Sequence, residues 1–145
     1  MVDVFATRDL DLVNSFANDP DILPFCGFPA GIKRVDMRDR IDNPALLFVT
    51  DGSGAMICFD HTAEGWEFHS MFRRSCRGRK SITAALAMFD WLTSATGARV
   101  LLGTCPVNNL PVRWFCRQLG MASLGISNSD QFGPVERFRK ELACR

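Results

Sequence analysis

Apolar positions follow different periods along this chain, and the changes of period mark its elements. "VDVFAT" (2–7) reads as a short first strand. Leu10, Val13 and Phe16–Ala17 then recur at helical spacing, and Asp9 stands where an N-cap belongs. Between 19 and 44 the pattern dissolves into Pro, Gly and charge, which predicts a loop region with one short helix around 33–41. "ALLFVTDGSGAMICFDHT" is two β-rich runs around "DGSG", a strong hairpin signal. "GWEFHSMF" (65–72) is a further β run, entered through a turn at Glu64–Gly65. Helical spacing returns in "SITAALAMFDWLTSATG", with apolar positions at Ile82, Ala85–Leu86, Phe89 and Leu92 and a stop at Gly97. "RVLLGTC" (99–105) is a nearly all-apolar strand, so a central one. "NNLPVRWFCRQLG" predicts another helix, capped by Asn108 or Asn109, with Pro111 in its first turn and Gly120 at its end. "ASLGISN" and "VERFRKEL" pair as closing strands.

The order is β, helical region, β-β-β, α, β, α, β-β. Strand 65–72, its helix and strand 99–105 form one β-α-β crossover in an otherwise hairpin-rich sheet. The expectation is an α/β (α+β) fold: a mixed, mostly antiparallel twisted sheet with helices on both faces. At 145 residues the chain is expected to form one domain, 1–145, with a substantial core. No internal repeat, low-complexity tract or interdomain linker interrupts it.

Charge changes the picture at one place. The net charge is +1, so no global field draws nucleic acid or membrane. Yet "RRSCRGRKSI" (73–82) concentrates Arg73, Arg74, Arg77, Arg79 and Lys80 between a β run and an apolar helix. A helix opening after a strand presents unpaired N–H groups and the positive end of its dipole, so the segment suits a diphosphate. A solvated basic turn is the plainer alternative. No aromatic is interleaved with the arginines, so the stacking half of a single-strand nucleic-acid site is missing.

Composition adds less. There are 12 Phe and no Tyr, so no phenol is available to any mechanism. Cys26, Cys58, Cys76, Cys105, Cys116 and Cys144 form no C-x-x-C pair and read as reduced, small apolar residues. The first residues carry no signal-peptide pattern, and no apolar run approaches the ~20 residues of a membrane span. A cytoplasmic protein is expected. Cys58, His61, His69 and Cys76 have ligand chemistry for zinc, but Cys58 and His61 are three apart on a strand and point to opposite faces, so no metal is expected. No Cys–His–acid order stands out for a Cys nucleophile.

"RGRKSITAALAMFDWL" followed about thirty residues later by "NNLPVRWFCRQLGM" resembles the GNAT superfamily of acyl-CoA-dependent N-acyltransferases over roughly residues 45–125. In that family R/Q-x-x-G-x-G/A opens a helix, and N-x-x-A-x-x-x-Y-x-x-x-G-F follows the next strand. Arg77–Gly78 matches the start of the loop, and Asn109, Leu119–Gly120 and Met121 match the second block. More narrowly, "EFHSMFRRSCRGRKS" resembles short GNAT-like proteins of bacteriophages, in which a His on the strand and a Lys in the loop recur.

The resemblance implies acetyl-CoA as acyl donor and direct attack by an amine on the thioester. The pantetheine arm would lie where strands 65–72 and 99–105 splay, on backbone groups of Ser70 and Phe72. Residues Arg77, Gly78, Arg79, Lys80 and Ser81 would hold the pyrophosphate, and Asn109 would bond the arm. A backbone N–H near Ser70 would stabilise the oxyanion. The acceptor, a small molecule or a protein N-terminus or lysine, would bind between residues 19–44 and the hairpin 121–141. A homodimer is compatible with such a chain.

Three departures matter. Lys80 and Ile82 stand where the family has glycines, which permit close backbone approach to phosphate. The family's Tyr, which protonates the leaving thiolate, falls on Cys116, either a thiol donor or a structural residue. Glu67 and His69 share one face of their strand, opposite Trp66, Phe68, Ser70 and Phe72, so either is a candidate base or the two brace the sheet. The alternative function is a GNAT-fold binding or accessory protein without acetyl transfer.

Overall fold

The computed structural model describes residues 2–143. In chain order its elements are β1 (Phe5–Thr7), α1 (Leu10–Ala17), α2 (Arg38–Ile41), β2 (Leu46–Thr50), β3 (Ala55–Thr62), β4 (Gly65–Phe72), α3 (Arg79–Thr96), β5 (Val100–Pro106), α4 (Leu110–Gln118), β6 (Ala122–Ser129) and β7 (Gly133–Glu141). Short 3-10 turns lie at Leu23–Phe25 and Arg74–Cys76. The strands form one sheet in the order β1-β2-β3-β4-β5-β7-β6. Every neighbouring pair is antiparallel except β4 and β5, joined by the α3 crossover.

The helices form where spacing and caps coincide. Asp9 accepts from the Leu12 N–H at 3.2 Å and starts α1, which buries Val13, Phe16 and Ala17. Helix α3 buries Ala84, Ala85, Met88, Phe89 and Leu92, one face at helical spacing, and stops where Gly97 takes the left-handed conformation at φ 72. Asn109, not Asn108, caps α4. The helical region before β2 is shorter than the sequence suggests: α2 has four residues.

Both faces of the sheet are covered. One core packs Phe59, Phe68, Phe72 and Leu101 against α3 and α4, and the other packs Phe48, Met56, Cys58 and Met71 against α1. Phe89 stands edge-on to Phe59 and Phe68 at 6.2 and 5.5 Å between centroids, a geometry contributing about 0.5–1.5 kcal/mol per pair beyond burial. Strand β4 therefore feeds both cores, Phe68 and Phe72 on one side and Met71 on the other. The Glu67–His69 face is not simply the solvent face.

Strand β7 returns between β5 and β6. It pairs with β5 from Val100↔Glu141 to Pro106↔Val135. On its other side β5 meets β4 at only two positions, Trp66↔Leu101 and Glu67↔Leu102, and the two strands then part. Just beyond the last pair the Phe68 ring lies over Gly103, where a Cβ would lie 2.9 Å from Phe68 Cε1. The result is a V, closed at Glu67–Leu102 and open toward Phe72 and Pro106. Among the described residues no helix is long and apolar enough to cross a membrane. Cys144 lies outside the described residues.

Candidate functional site

The open end of the V and the start of α3 lie together, because β4 runs directly through the turn Arg74–Cys76 into Gly78 and α3. Gly78 has φ 77 and ψ −139, a conformation only glycine adopts readily, although a Cβ there would meet nothing within 4 Å. It supplies no side-chain cap, and the first turn of α3 contains no acidic residue. Arg79 and Lys80 occupy that turn instead, both exposed. Two cations at the positive end of an 18-residue helix are a standing electrostatic cost that an anion would relieve. Lys80 and Ile82 take ordinary helical places: Lys80 faces solvent and Ile82 packs against the α3 core. Ser81 is buried, with its hydroxyl donating to the Gly78 carbonyl at 2.6 Å, so its side chain shapes the loop.

The five cations of the basic segment divide into two groups. Arg73 turns back to α1, donating to Ser15 Oγ at 2.9 Å and lying 4.2 Å from the Phe16 ring centroid. Arg74 faces the Asp21 carboxylate at 3.8 Å. Arg77 donates from Nε to the Phe72 carbonyl at 3.3 Å and from an Nη to the Asp21 carbonyl at 2.6 Å. These three reach the α1 side of the sheet. Arg79 and Lys80 remain at the helix terminus.

The walls of the V carry the other sequence-predicted groups. Glu67 is the last paired residue before the strands part, and His69 follows on the same face, exposed. Asp60 stands directly opposite Glu67 across the β3–β4 pair, so two carboxylates share that face. Sequence reading passed over Asp60, which sits in an ordinary β run; only the β3–β4 register reveals it. Ser70 and Phe72 line the opposite face, and the Phe72 ring meets Phe115 of α4 edge-on at 5.4 Å. Asn109 accepts from the Val112 N–H at 3.4 Å, leaving its amide NH2 as the group that could serve a ligand. Cys116 is 1% exposed, and burial first, then the neighbouring Cys105 and Glu136, push its thiol up to about 12. Burial likewise raises Cys26 and Cys105 to about 11 and Cys58 to about 12. Thiols held this way are poor nucleophiles at neutral pH.

A second missed group is Glu136 on β7, 4% exposed. Its carboxylate accepts from Arg113 Nε at 2.8 Å, from Arg117 Nη at 2.9 Å and from Ser123 Oγ at 2.7 Å. These bonds tie α4 to β6 and β7, and so fix the helix that bears Asn109 and Phe115.

The two segments expected to border the acceptor do meet. Gln131 Nε2 donates to the Gly27 carbonyl at 2.5 Å. A Cβ on Gly27 would lie 2.7 Å from Phe132 Cζ.

Solved structures of acetyltransferases share this architecture. The fold superposes on spermidine N-acetyltransferase from Vibrio cholerae in complex with CoA and spermine, with a TM-score of 0.73 and 12% identity over 97% of this chain and 95% of that one. It superposes equally on ribosomal-protein-S5-alanine acetyltransferase from Vibrio fischeri, with a TM-score of 0.73 and 11% identity over 96% and 92% of the two chains. A GNAT-family acetyltransferase from Bacillus anthracis gives a TM-score of 0.69 and 14% identity over 95% and 94%. No protein-family model matches the sequence, and no curated protein matches it significantly. The fold is thus the GNAT acetyltransferase fold.

Proposed function

We propose that this chain is an acyl-CoA-dependent N-acyltransferase that moves an acetyl group from acetyl-CoA to a primary amine. The observation that carries the reading is the first turn of α3. Gly78 exposes it, Arg79 and Lys80 charge it, it holds no acidic residue, and it opens beside a V between parallel strands. Gly78, Arg79 and Lys80 hold the diphosphate, with Lys80 supplying charge where the family has glycine. Backbone groups of Ser70 and Phe72 and the amide of Asn109 hold the pantetheine arm in the V. The bound thioester supplies an activated acyl carbon. An N–C bond forms and the C–S bond breaks. Glu67 or His69, at the closed end of the V, takes the amine proton directly or through water. The departing sulfur takes its proton from solvent.

Cys116 packs in this scheme. A thiol held near 12 keeps its proton when faced with a thiolate whose own acid ionises near about 8.5. A general acid contributes about 10²- to 10⁴-fold. Cys116→Ala is therefore expected to lower the rate of thiol release by less than about threefold. A hundredfold loss with an unchanged melting temperature would make Cys116 the donor.

The absence of a proton-donating Tyr and the lost glycines favour one other reading: a GNAT-fold binding or accessory protein, phage-encoded if the resemblance of "EFHSMFRRSCRGRKS" is a true kinship. The acceptors named for the two Vibrio structures, a polyamine and an alanine of a ribosomal protein, set the first panel to try. Thermal shift with acetyl-CoA, then thiol release across polyamines, small amines and N-terminal peptides, separates the readings. Stabilisation with release establishes transfer. Stabilisation without release on any acceptor favours the binding protein. Absence of stabilisation at millimolar acetyl-CoA overturns both cofactor readings.

A further inference from the structure

Residues 21–27 run across the open end of the V on the α1 side. One end is held at the exit of β4, where Asp21 meets Arg74 and Arg77. The other is held beside β7, where Gly27 meets Gln131 and Phe132. Strand β7 enters alongside the last residue of β5, at Pro106↔Val135. The segment therefore straps the two arms of the V at their widest separation. Ile22 anchors its underside in the α1 core, while Phe25 is 70% exposed. Gly27 has φ of 78, so the segment ends on a glycine in the left-handed region.

One side chain connects this strap to the helix terminus. The Arg77 guanidinium bonds the Asp21 carbonyl and the Phe72 carbonyl at once, and Arg77 is joined directly to Gly78. In this arrangement it occupies a carbonyl that the pantetheine arm would need. A diphosphate at Gly78–Lys80 offers a stronger partner than two neutral carbonyls, because both charges of that pair are ionised.

We propose that Arg77 is a latch: a diphosphate at the start of α3 draws its guanidinium off the Phe72 and Asp21 carbonyls and frees the Asp21 end of the strap over the acceptor side. The inference rests on the reading of the α3 terminus as a diphosphate site. Access for the amine then depends on the cofactor already being in place. With Arg77 withdrawn, the Asp21 end keeps only the weak Arg74–Asp21 pair, while Ile22 and the Gly27 end stay in place.

Amide hydrogen exchange of the whole chain, with and without saturating CoA, tests the latch. CoA is expected to speed exchange at 21–27 by about tenfold in the parent. In Arg77→Ala these amides should exchange at the fast rate without CoA and should not change when it is added. Arg74→Gln should retain the CoA response. A parent stabilised thermally by CoA, but with exchange at 21–27 unchanged or slowed, overturns the latch and leaves the diphosphate site standing. No thermal stabilisation by CoA overturns the site and the latch together. Circular-dichroism melting of Arg77→Ala checks that the variant is folded; fast exchange throughout the chain, rather than at 21–27, would also overturn the assignment.

Discussion

Replacing Arg79 and Lys80 together by glutamate is expected to lower affinity for CoA by about 100-fold while leaving the melting temperature unchanged or slightly higher. The two residues occupy the first turn of α3, where no acidic side chain offsets them. Both are exposed and their side chains take no part in either core. Reversal therefore costs the fold nothing in packing, and acidic residues in a first turn favour the helix by about 0.3–1 kcal/mol each. For the ligand the sign is opposite. Two attractions to a diphosphate become repulsions, and each such exchange near a protein surface is worth about 1–2 kcal/mol at a few ångströms. The sum of about 3 kcal/mol is a factor of about 100 in dissociation constant. Isothermal titration with CoA measures it, and Arg99→Glu, beyond the far end of the helix, is the control for charge at a distance. Parent affinity should also weaken as salt rises, since the site is open to solvent. An affinity within threefold of the parent would remove the first turn of α3 from the cofactor site, and with it the observation on which the proposed function stands.

The contrast between Arg79–Lys80 and Arg73, Arg74 and Arg77 marks what this sequence could disclose. All five cations look alike in "RRSCRGRKSI". The boundary between β4 and α3 was legible, because alternation ends at Phe72 and helical spacing begins at Ser81. The caps at Asp9 and Gly97 were legible for the same local reason, and that of α4 only to within Asn108 or Asn109. The division of the arginines was not, since the partner of Arg74 and Arg77 is Asp21, more than fifty residues away in a stretch without periodicity. The placement of β7 between β5 and β6 was hidden too. A hairpin specifies that its two strands pair, and nothing local specifies which of them meets a third.

Glu136 shows the same limit. In "VERFRKEL" it reads as one charge among several on a strand. Its position two before Phe138 placed it on the inward face, and Arg113 and Arg117, one helical turn apart on α4, were the matching signal. Neither half is informative until β7 is known to lie under α4.

Glu136→Gln is accordingly expected to lower the melting temperature by about 10 °C at pH 7. The carboxylate is 4% exposed and accepts from two guanidinium groups and a hydroxyl. Loss of the buried partner in such a group costs about 3 kcal/mol, the lower part of the usual range because Arg117 is half-exposed and can turn to water. For a chain of this size 1 kcal/mol is about 3 °C. The Ser123 hydroxyl first, against desolvation, and then Arg113 and Arg117 hold the carboxyl below its ordinary value. A depressed carboxylate stabilises the fold fully above its unfolded pKa of about 4.3, and that contribution disappears as pH falls through the lower, folded value. The gap between parent and variant should therefore be constant from pH 8 to pH 5 and should close below about pH 4, as the parent loses what the variant never had. Thermal melts of both proteins by circular dichroism across pH 3 to 8 measure the gap. Equal melting temperatures at pH 7 would show that α4 is held by its apolar face alone. The same melts bear on the site, because α4 carries Asn109 and Phe115: a variant that loses its CoA affinity at temperatures where it remains folded would show that the Glu136 cluster positions the helix as well as holding it.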